Sequence, residues 1–214
     1  MSAVRVDHVV MAVRDLDRAA AALEDRGIAT VAGGVHARWG TANRIAPLGA
    51  SYLELLSVVD GDVAATTVLG RAVAERAHGG DRWFAVCLAD DDIDATAARL
   101  GLGVEAGDRT KPDGTEVRWR GAGIEDPRRT IDLPFFIAWD TPDMHPGRMP
   151  ALHPAGDLAI ASIEIAGDGA GFAAWTGGAL LPIRFVAGAR GVHAVVLDAP
   201  DGPIRIEGAP GEGA

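Results

Sequence analysis

The feature that most constrains this chain is a pattern that recurs within it. Val4 to Val13 is apolar and β-branched at nearly every second position, which predicts a strand. Asp15 then stands where a side-chain oxygen can accept a free backbone N–H of a first helical turn. Leu16, Ala19, Ala20 and Leu23 share one face of the helix that follows, and Gly27 ends it. Three extended runs come next, Ile28–Val31, Asn43–Pro47 and Ser51–Val59, so the unit reads β-α-β-β-β over residues 1–60. Shifting it by 77 residues lays Leu16-Asp17 on Ile93-Asp94, Ala20 on Ala97 and Leu23 on Leu100. A second unit is therefore expected over 81–140, with a strand at Trp83–Leu88 and extended segments at Glu116–Trp119 and Leu133–Trp139. A shift of 153 lays Asp15 on Asp168 and Ala46-Pro47-x-Gly49-x4-Glu54 on Ala199-Pro200-x-Gly202-x4-Glu207. That predicts a third, degenerate unit or a C-terminal extension over 158–214, with a strand at Val192–Leu197 and a helix weakened by Gly169 and Gly171. Val68 to His78 is expected as a helix in the connection 61–80. The proline-rich stretch 141–157 reads as a linker or covering loop, and its His145 and His153 as surface residues, with a role in a lid as the lesser alternative. The fold class is α+β, built from repeated modules.

Composition narrows the function. Acidic residues outnumber basic ones 30 to 20, a net charge of −10, which argues against a nucleic-acid face. The lone Cys87, in an apolar strand, excludes an internal disulfide and reads as a small buried hydrophobe. No apolar run is long enough to span a membrane, and no basic-then-apolar leader opens the chain, so a cytoplasmic protein is expected. Gly-x-Ser-x-Gly, the phosphate-binding Gly-x4-Gly-Lys-Ser/Thr and Cys-x2-Cys are all absent. The run Asp90-Asp91-Asp92 reads as the turn into a helix.

Two polar residues share strand faces with apolar neighbours. His8 shares a face with Val6, Val10 and Ala12, and Glu54 shares one with Tyr52 and Leu56. Burying a carboxylate among leucines is costly unless a charge compensates it, and a divalent metal held by imidazole and carboxylate would do so. A backbone hydrogen bond for His8 and an arginine or solvent for Glu54 is the alternative. His36 and Asn43 fall in a glycine-rich stretch expected to be a loop. His36 is open to service as substrate partner, general base or replacement ligand, or is an exposed loop histidine. Asn43 is a substrate contact or a turn residue. Phe135, Phe136 and Trp139 line an apolar pocket or belong to the core.

The run Asp7-His8-Val9-Val10-Met11-Ala12-Val13-Arg14-Asp15-Leu16-Asp17, with Tyr52-Leu53-Glu54-Leu55 downstream, resembles the vicinal oxygen chelate superfamily of glyoxalases, extradiol dioxygenases and bleomycin-resistance proteins. Gly33-Gly34-x-His36-x3-Gly40-Thr41-x-Asn43 and Leu133-Pro134-Phe135-Phe136-Ile137-x-Trp139 resemble its bacterial glyoxalase-like branch. The resemblance implies paired modules whose curled sheets form a cup, with a divalent metal held by first- and fourth-strand residues of each module. His8 and Glu54 match those positions in the first module. The second offers Ala85 and, loosely, Asp132; the third offers Ala161 and Glu207. Pairing of the first and third modules would give the ligand set His8, Glu54 and Glu207.

Two functions follow as expectations. One is a metal-dependent isomerase, lyase or dioxygenase acting on a small oxygen-rich metabolite, with His36 moving a proton and Asn43, Phe135, Phe136 and Trp139 contacting the substrate. The other is a metal-free protein that sequesters an aromatic or apolar compound in the same cup. The partner in both is a small molecule, and a homodimer is consistent with the resemblance.

Overall fold

A computed structural model describes residues 4–208. The first unit comprises β1 (Val4–Ala12), α1 (Leu16–Glu24), β2 (Val31–His36), β3 (Thr41–Pro47) and β4 (Tyr52–Val58). A one-turn helix α2 (Gly61–Ala64) and α3 (Val68–His78) lead to the second unit: β5 (Arg82–Asp90), α4 (Ile93–Leu100), β6 (Val104–Thr110), β7 (Glu116–Ala122) and β8 (Phe135–Trp139). Two short 3-10 turns, Pro142–Met144 and Pro146–Arg148, precede the third unit: β9 (Ala159–Ala166), α5 (Gly169–Trp175), β10 (Ile183–Phe185), β11 (Gly191–Asp198) and β12 (Ile204–Glu207). The three segments share their helix starts but not their strand order, since β9 pairs with β10 and β11 where β1 pairs with β4. Asp15, Asp92 and Asp168 are the N-caps of α1, α4 and α5, each accepting a backbone N–H of the first turn at 2.9, 3.2 and 3.0 Å.

The first two units close on each other. Their strands form one barrel in the order β1-β4-β3-β2-β6-β7-β8-β5, while the third unit makes a separate sheet, β10-β9-β11-β12. One seam between units is long: β1 runs antiparallel to β5, pairing His8 with Cys87 and Val10 with Ala85. These two pairs interchange under a shift of 77, so the seam carries a local twofold symmetry. The other seam is a single residue pair, Val35 with Thr110. There, a Cβ on Gly34 would lie 3.0 Å from the Thr110 carbonyl carbon and closer still to its oxygen, so only glycine lets the strands meet.

This corrects the reading of the glycine-rich stretch as a loop. Gly33 and Gly34 lie within β2 and His36 ends it, while Asn43 lies in β3, inside the extended run Asn43–Pro47 that the sequence predicts. The glycines mark close approaches inside a sheet, not a turn. The expected run Ile28–Val31 meets β2 only at Val31, and β6, which the repeated β-α-β-β-β pattern implies, was given no residues of its own.

Period-2 alternation sorts the barrel residues into two cores. Val9, Met11, Leu53, Leu55, Trp83, Val86, Leu88 and Phe136 face outward, packing with α1, α4 and the third sheet through Ile163, Ile165, Val195, Leu197 and Ile206. The indole of Trp83 donates to the Ile206 carbonyl at 2.9 Å, fastening that sheet to the barrel wall. Val10, Ala12, Leu56, Phe84, Ala85, Cys87, Trp119, Phe135 and Ile137 face inward, and α3 packs over them with Leu69, Val73 and Ala77. No helix among the described residues is long and apolar enough to cross a membrane.

Segment 141–157 is a covering segment with defined partners. Gly49 N–H donates to the Gly147 carbonyl at 2.8 Å. His153 accepts from Ala29 N–H on Nδ1 at 3.0 Å and donates from Nε2 to the Pro47 carbonyl at 2.7 Å, which fixes it as the neutral Nε2–H form. His153 therefore tethers the segment, and His145 reaches the barrel interior. Neither is the plain surface residue expected.

Candidate active site

The barrel encloses a cavity of about 40 Å³ lined by side chains of both units, among them His8, His36, Asn43, Tyr52, Glu54, Arg109, Phe135 and Trp139. His8 and Glu54 meet because β1 and β4 are parallel neighbours with Val10 opposite Glu54, and both side chains point inward. His8 Nε2 lies 3.4 Å from Glu54 Oε2, and the two residues are 4 % and 7 % exposed.

The ring of His8 is held on several sides. Its Nδ1 is 2.7 Å from Asp7 Oδ1. Successive strand residues normally face opposite ways, but the β1–β5 register slips between Val6 and His8. This bulge at Asp7 brings its carboxylate beside its neighbour's imidazole. The other Asp7 oxygen accepts from Trp139 Nε1 at 2.8 Å and His145 Nε2 at 3.1 Å. Gly147 N–H donates to His145 Nδ1 at 3.1 Å, so the His145 proton resides on Nε2. Burial works to raise the Asp7 pKa. The hydrogen bonds from His145 and His8 outweigh it and hold the carboxyl well below the usual range. Asp7 is therefore an ionised acceptor, and the Nδ1 proton of His8 belongs to that bond. The Tyr52 ring stacks on the imidazole, centroids 4.4 Å apart at 18°, and Phe135 meets it edge-on at 5.7 Å. Burial raises the Tyr52 hydroxyl pKa, so it stays neutral.

Glu54 is oriented by Asn43, whose Nδ2 donates to Oε1. Asn43 Oδ1 in turn accepts from Gly34 N–H at 2.8 Å and Arg109 Nη1 at 3.3 Å, which fixes the direction of the amide. His36 Nδ1 is 3.1 Å from Thr41 Oγ1, and its ring lies against Trp39 and Trp119. Burial pushes its pKa down to about 4 against the opposing charge of Glu54, so it is a neutral imidazole at neutral pH.

The residues present fit a divalent ion between His8 and Glu54. A charge-assisted N–H···O bond spans about 2.7–2.9 Å, shorter than the 3.4 Å found. Two metal bonds of about 2.1 Å at the tetrahedral angle span about 3.4 Å. Asp7 behind His8 is the carboxylate that metal-bound imidazoles commonly hydrogen-bond. Asp7, His8 and Cys87 also bring donor atoms within 4.8 Å of one another. Both Asp7 oxygens are already engaged, however, and burial pushes the Cys87 thiol up, so that trio is the poorer set.

The second unit supplies no matching ligands. Ala85 stands at the counterpart of His8, and the β5–β8 register pairs Cys87 with Phe135, which puts Phe135 at the counterpart of Glu54. Asp132 points elsewhere, to Arg190 at 3.0 Å. Glu207 does not join the site. It lies exposed on β12, ion-paired to Arg205, in a sheet that packs on the outside of the barrel. Phe136 is not in the cavity either: with Phe135 inward, its neighbour must face outward, where it stacks on Trp175. Asn43, Phe135 and Trp139 do line the cavity. Sequence reasoning missed Asp7, Arg109 and His145. The Asp7-His8 doublet was a usable signal for the first only through the bulge, and the other two left none.

A family model for the glyoxalase-like domain matches residues 6–181. No protein of curated function matches the sequence. Among solved structures, a hypothetical protein from Staphylococcus aureus is 20% identical at a TM-score of 0.66, covering 95% of this chain and 86% of that one. A methylmalonyl-CoA epimerase of Streptomyces coelicolor, in complex with 2-nitronate-propionyl-CoA, is 22% identical at 0.46, covering 64% and 97%. A 4-hydroxymandelate synthase mutant from the same organism is 12% identical at 0.47, covering 99% and 66%. With a barrel of two β-α-β-β-β units and the family match over most of its length, the chain belongs to the glyoxalase-like domain family.

Proposed function

We propose that this protein is a metal-assisted enzyme acting on a small, oxygen-rich metabolite, of the isomerase or lyase type. The observation that carries the reading is the pair His8 Nε2 and Glu54 Oε2, 3.4 Å apart, buried, and each locked from behind by a hydrogen bond to its other atom. His8 and Glu54 would hold a divalent ion, which would supply Lewis-acid stabilisation of negative charge on a substrate oxygen. Asp7 keeps the His8 ring in the orientation that presents Nε2, and Asn43 keeps Oε2 of Glu54 turned toward it. The indole and phenyl rings of Trp39, Trp119, Trp139 and Phe135 exclude water and strengthen every polar interaction inside. His36, neutral at physiological pH, acts as a hydrogen-bonding group toward the ligand. A pKa of about 4 makes it a weak base, so the proton-moving role expected of it is not part of the proposal.

A second reading has one observation in its favour: Ala85 and Phe135 occupy the second unit's ligand positions. On that reading the cup is a metal-free binding site for an aromatic or apolar compound. Elemental analysis of purified protein separates the two. Near-stoichiometric divalent metal, lost in His8→Ala and in Glu54→Gln, supports the enzyme. Protein that takes up no divalent ion from a metal-supplemented buffer refutes it and leaves the binder.

A further inference from the structure

One buried charge in the cavity has no counter-ion. Arg109 is 2 % exposed, lines the cavity from β6, and uses only Nη1, on Asn43 Oδ1. Its Nε and Nη2 are buried with no hydrogen-bond partner. A guanidinium does not shed its proton in a protein, and an unpaired one is costly to bury. Glu54 does not serve as the partner. Its Oε1 is taken by Asn43 and its Oε2 faces His8, so the Asn43 amide is wedged between the two charges with its carbonyl toward the cation. The glycine at position 33 preserves that arrangement, since a Cβ there would lie 2.9 Å from Arg109 Nη1.

The two idle nitrogens are the adjacent pair on one edge of the guanidinium, with N–H bonds pointing the same way. That edge takes both oxygens of a carboxylate at once. The indole N–H of Trp39, on the same cavity wall, is a further buried donor without an acceptor. We propose that Arg109 is the anchor for a carboxylate on the ligand, and that the ligand is a small carboxylic acid. A cavity of about 40 Å³, walled by Trp39, Trp119, Phe135 and Trp139, suits a small acid. The inference rests on the preceding reading in one respect: the acid's remaining oxygen lies toward His8 and Glu54. The anchor itself needs no metal.

The test is calorimetric titration of chelator-treated and metal-loaded protein with acetate, glycolate and pyruvate, each beside its neutral amide. Carboxylates are expected to bind both forms, with the amides about 100-fold weaker, because charged hydrogen bonds are lost and the guanidinium stays unpaired. Arg109→Met should abolish the preference for carboxylate while melting no lower than the unmutated protein, since it removes an unpaired buried charge. Arg109→Lys, which keeps the charge without the fork, should bind about 10-fold more weakly. Equal affinity for acid and amide in the unmutated protein overturns the anchor, whatever the variants do. Carboxylate binding that requires the metal and survives Arg109→Met overturns it too, and leaves the metal reading intact. Carboxylate binding through Arg109 in a protein that takes up no metal keeps the anchor and removes the metal.

Discussion

Gly33→Ala probes the buried network with a single methyl group. The new Cβ would overlap Asn43 Oδ1 outright, lie 2.7 Å from its Cγ and 2.9 Å from Arg109 Nη1, well inside van der Waals separation. Gly33 is flanked by paired strand residues, so the backbone has little freedom to yield, and Asn43 must swing away. Its departure breaks three hydrogen bonds, from Gly34 N–H, from Arg109 and to Glu54. Two of the abandoned partners are buried charges, and each unsatisfied buried group costs about 1–3 kcal/mol. A destabilisation of about 3 kcal/mol or more is expected, or a fall in Tm of roughly 6–12 °C for a chain of this size. Denaturant melts against Gly103→Ala, an exposed position with nothing within 4 Å of the added methyl, supply the comparison, where about 0.5 kcal/mol or less is expected. A double-mutant cycle with Asn43→Ala assigns the cause, because removing the obstructing amide should recover part of the loss. If Gly33→Ala costs no more than Gly103→Ala, the close-packed account of β2 is wrong.

Other consequences are equally specific. His36 titrates near 6.5 when unfolded and about 4 when folded, so only the unfolded chain takes up its proton between those values. Its contribution is full above pH 6.5 and is lost as pH falls toward 4, by about 3 kcal/mol; the stability–pH curve of His36→Gln should be flatter in that window. The Asp7 pKa is depressed, so its stabilisation is present above about pH 4 and declines as the solution becomes more acidic. Asp7→Asn should lose that acid-side slope in chemical denaturation and bind metal about 10- to 100-fold more weakly. Glu207→Ala should leave metal content unchanged, since that carboxylate is outside the barrel.

Much of the architecture is legible along the chain because it depends on local chemistry. The three N-capping aspartates recur at the spacing of the units, and each precedes a small apolar helix face that needs a sheet to cover it. Glu54 among leucines was legible for the same reason: an inward carboxylate in an apolar strand demands a partner. Long-range facts were not legible. Glu207 matches Glu54 only in local sequence, because β12 pairs with β11 and not with β9 as β4 pairs with β1, and the closure of β2 on β6 through Val35 and Thr110 decides which units share a cavity. Gly33 and Gly34 looked like a turn because their close neighbours, Asn43 and Thr110, lie on other strands. Strict alternation sends Asp7 to the outside, and only the register slip in β1 brings it to His8. His145 arrives through a proline-rich segment whose course depends on packing against Gly49.

Cobalt(II) titration followed by visible absorption tests the central claim most directly, because the spectrum reports both stoichiometry and coordination. One equivalent should produce a saturable ligand-field band that disappears in His8→Ala, weakens or shifts in Glu54→Gln, and is unaltered in Glu207→Ala. No band in the unmutated protein, or one that persists without the His8 imidazole, would contradict a metal centre at this pair.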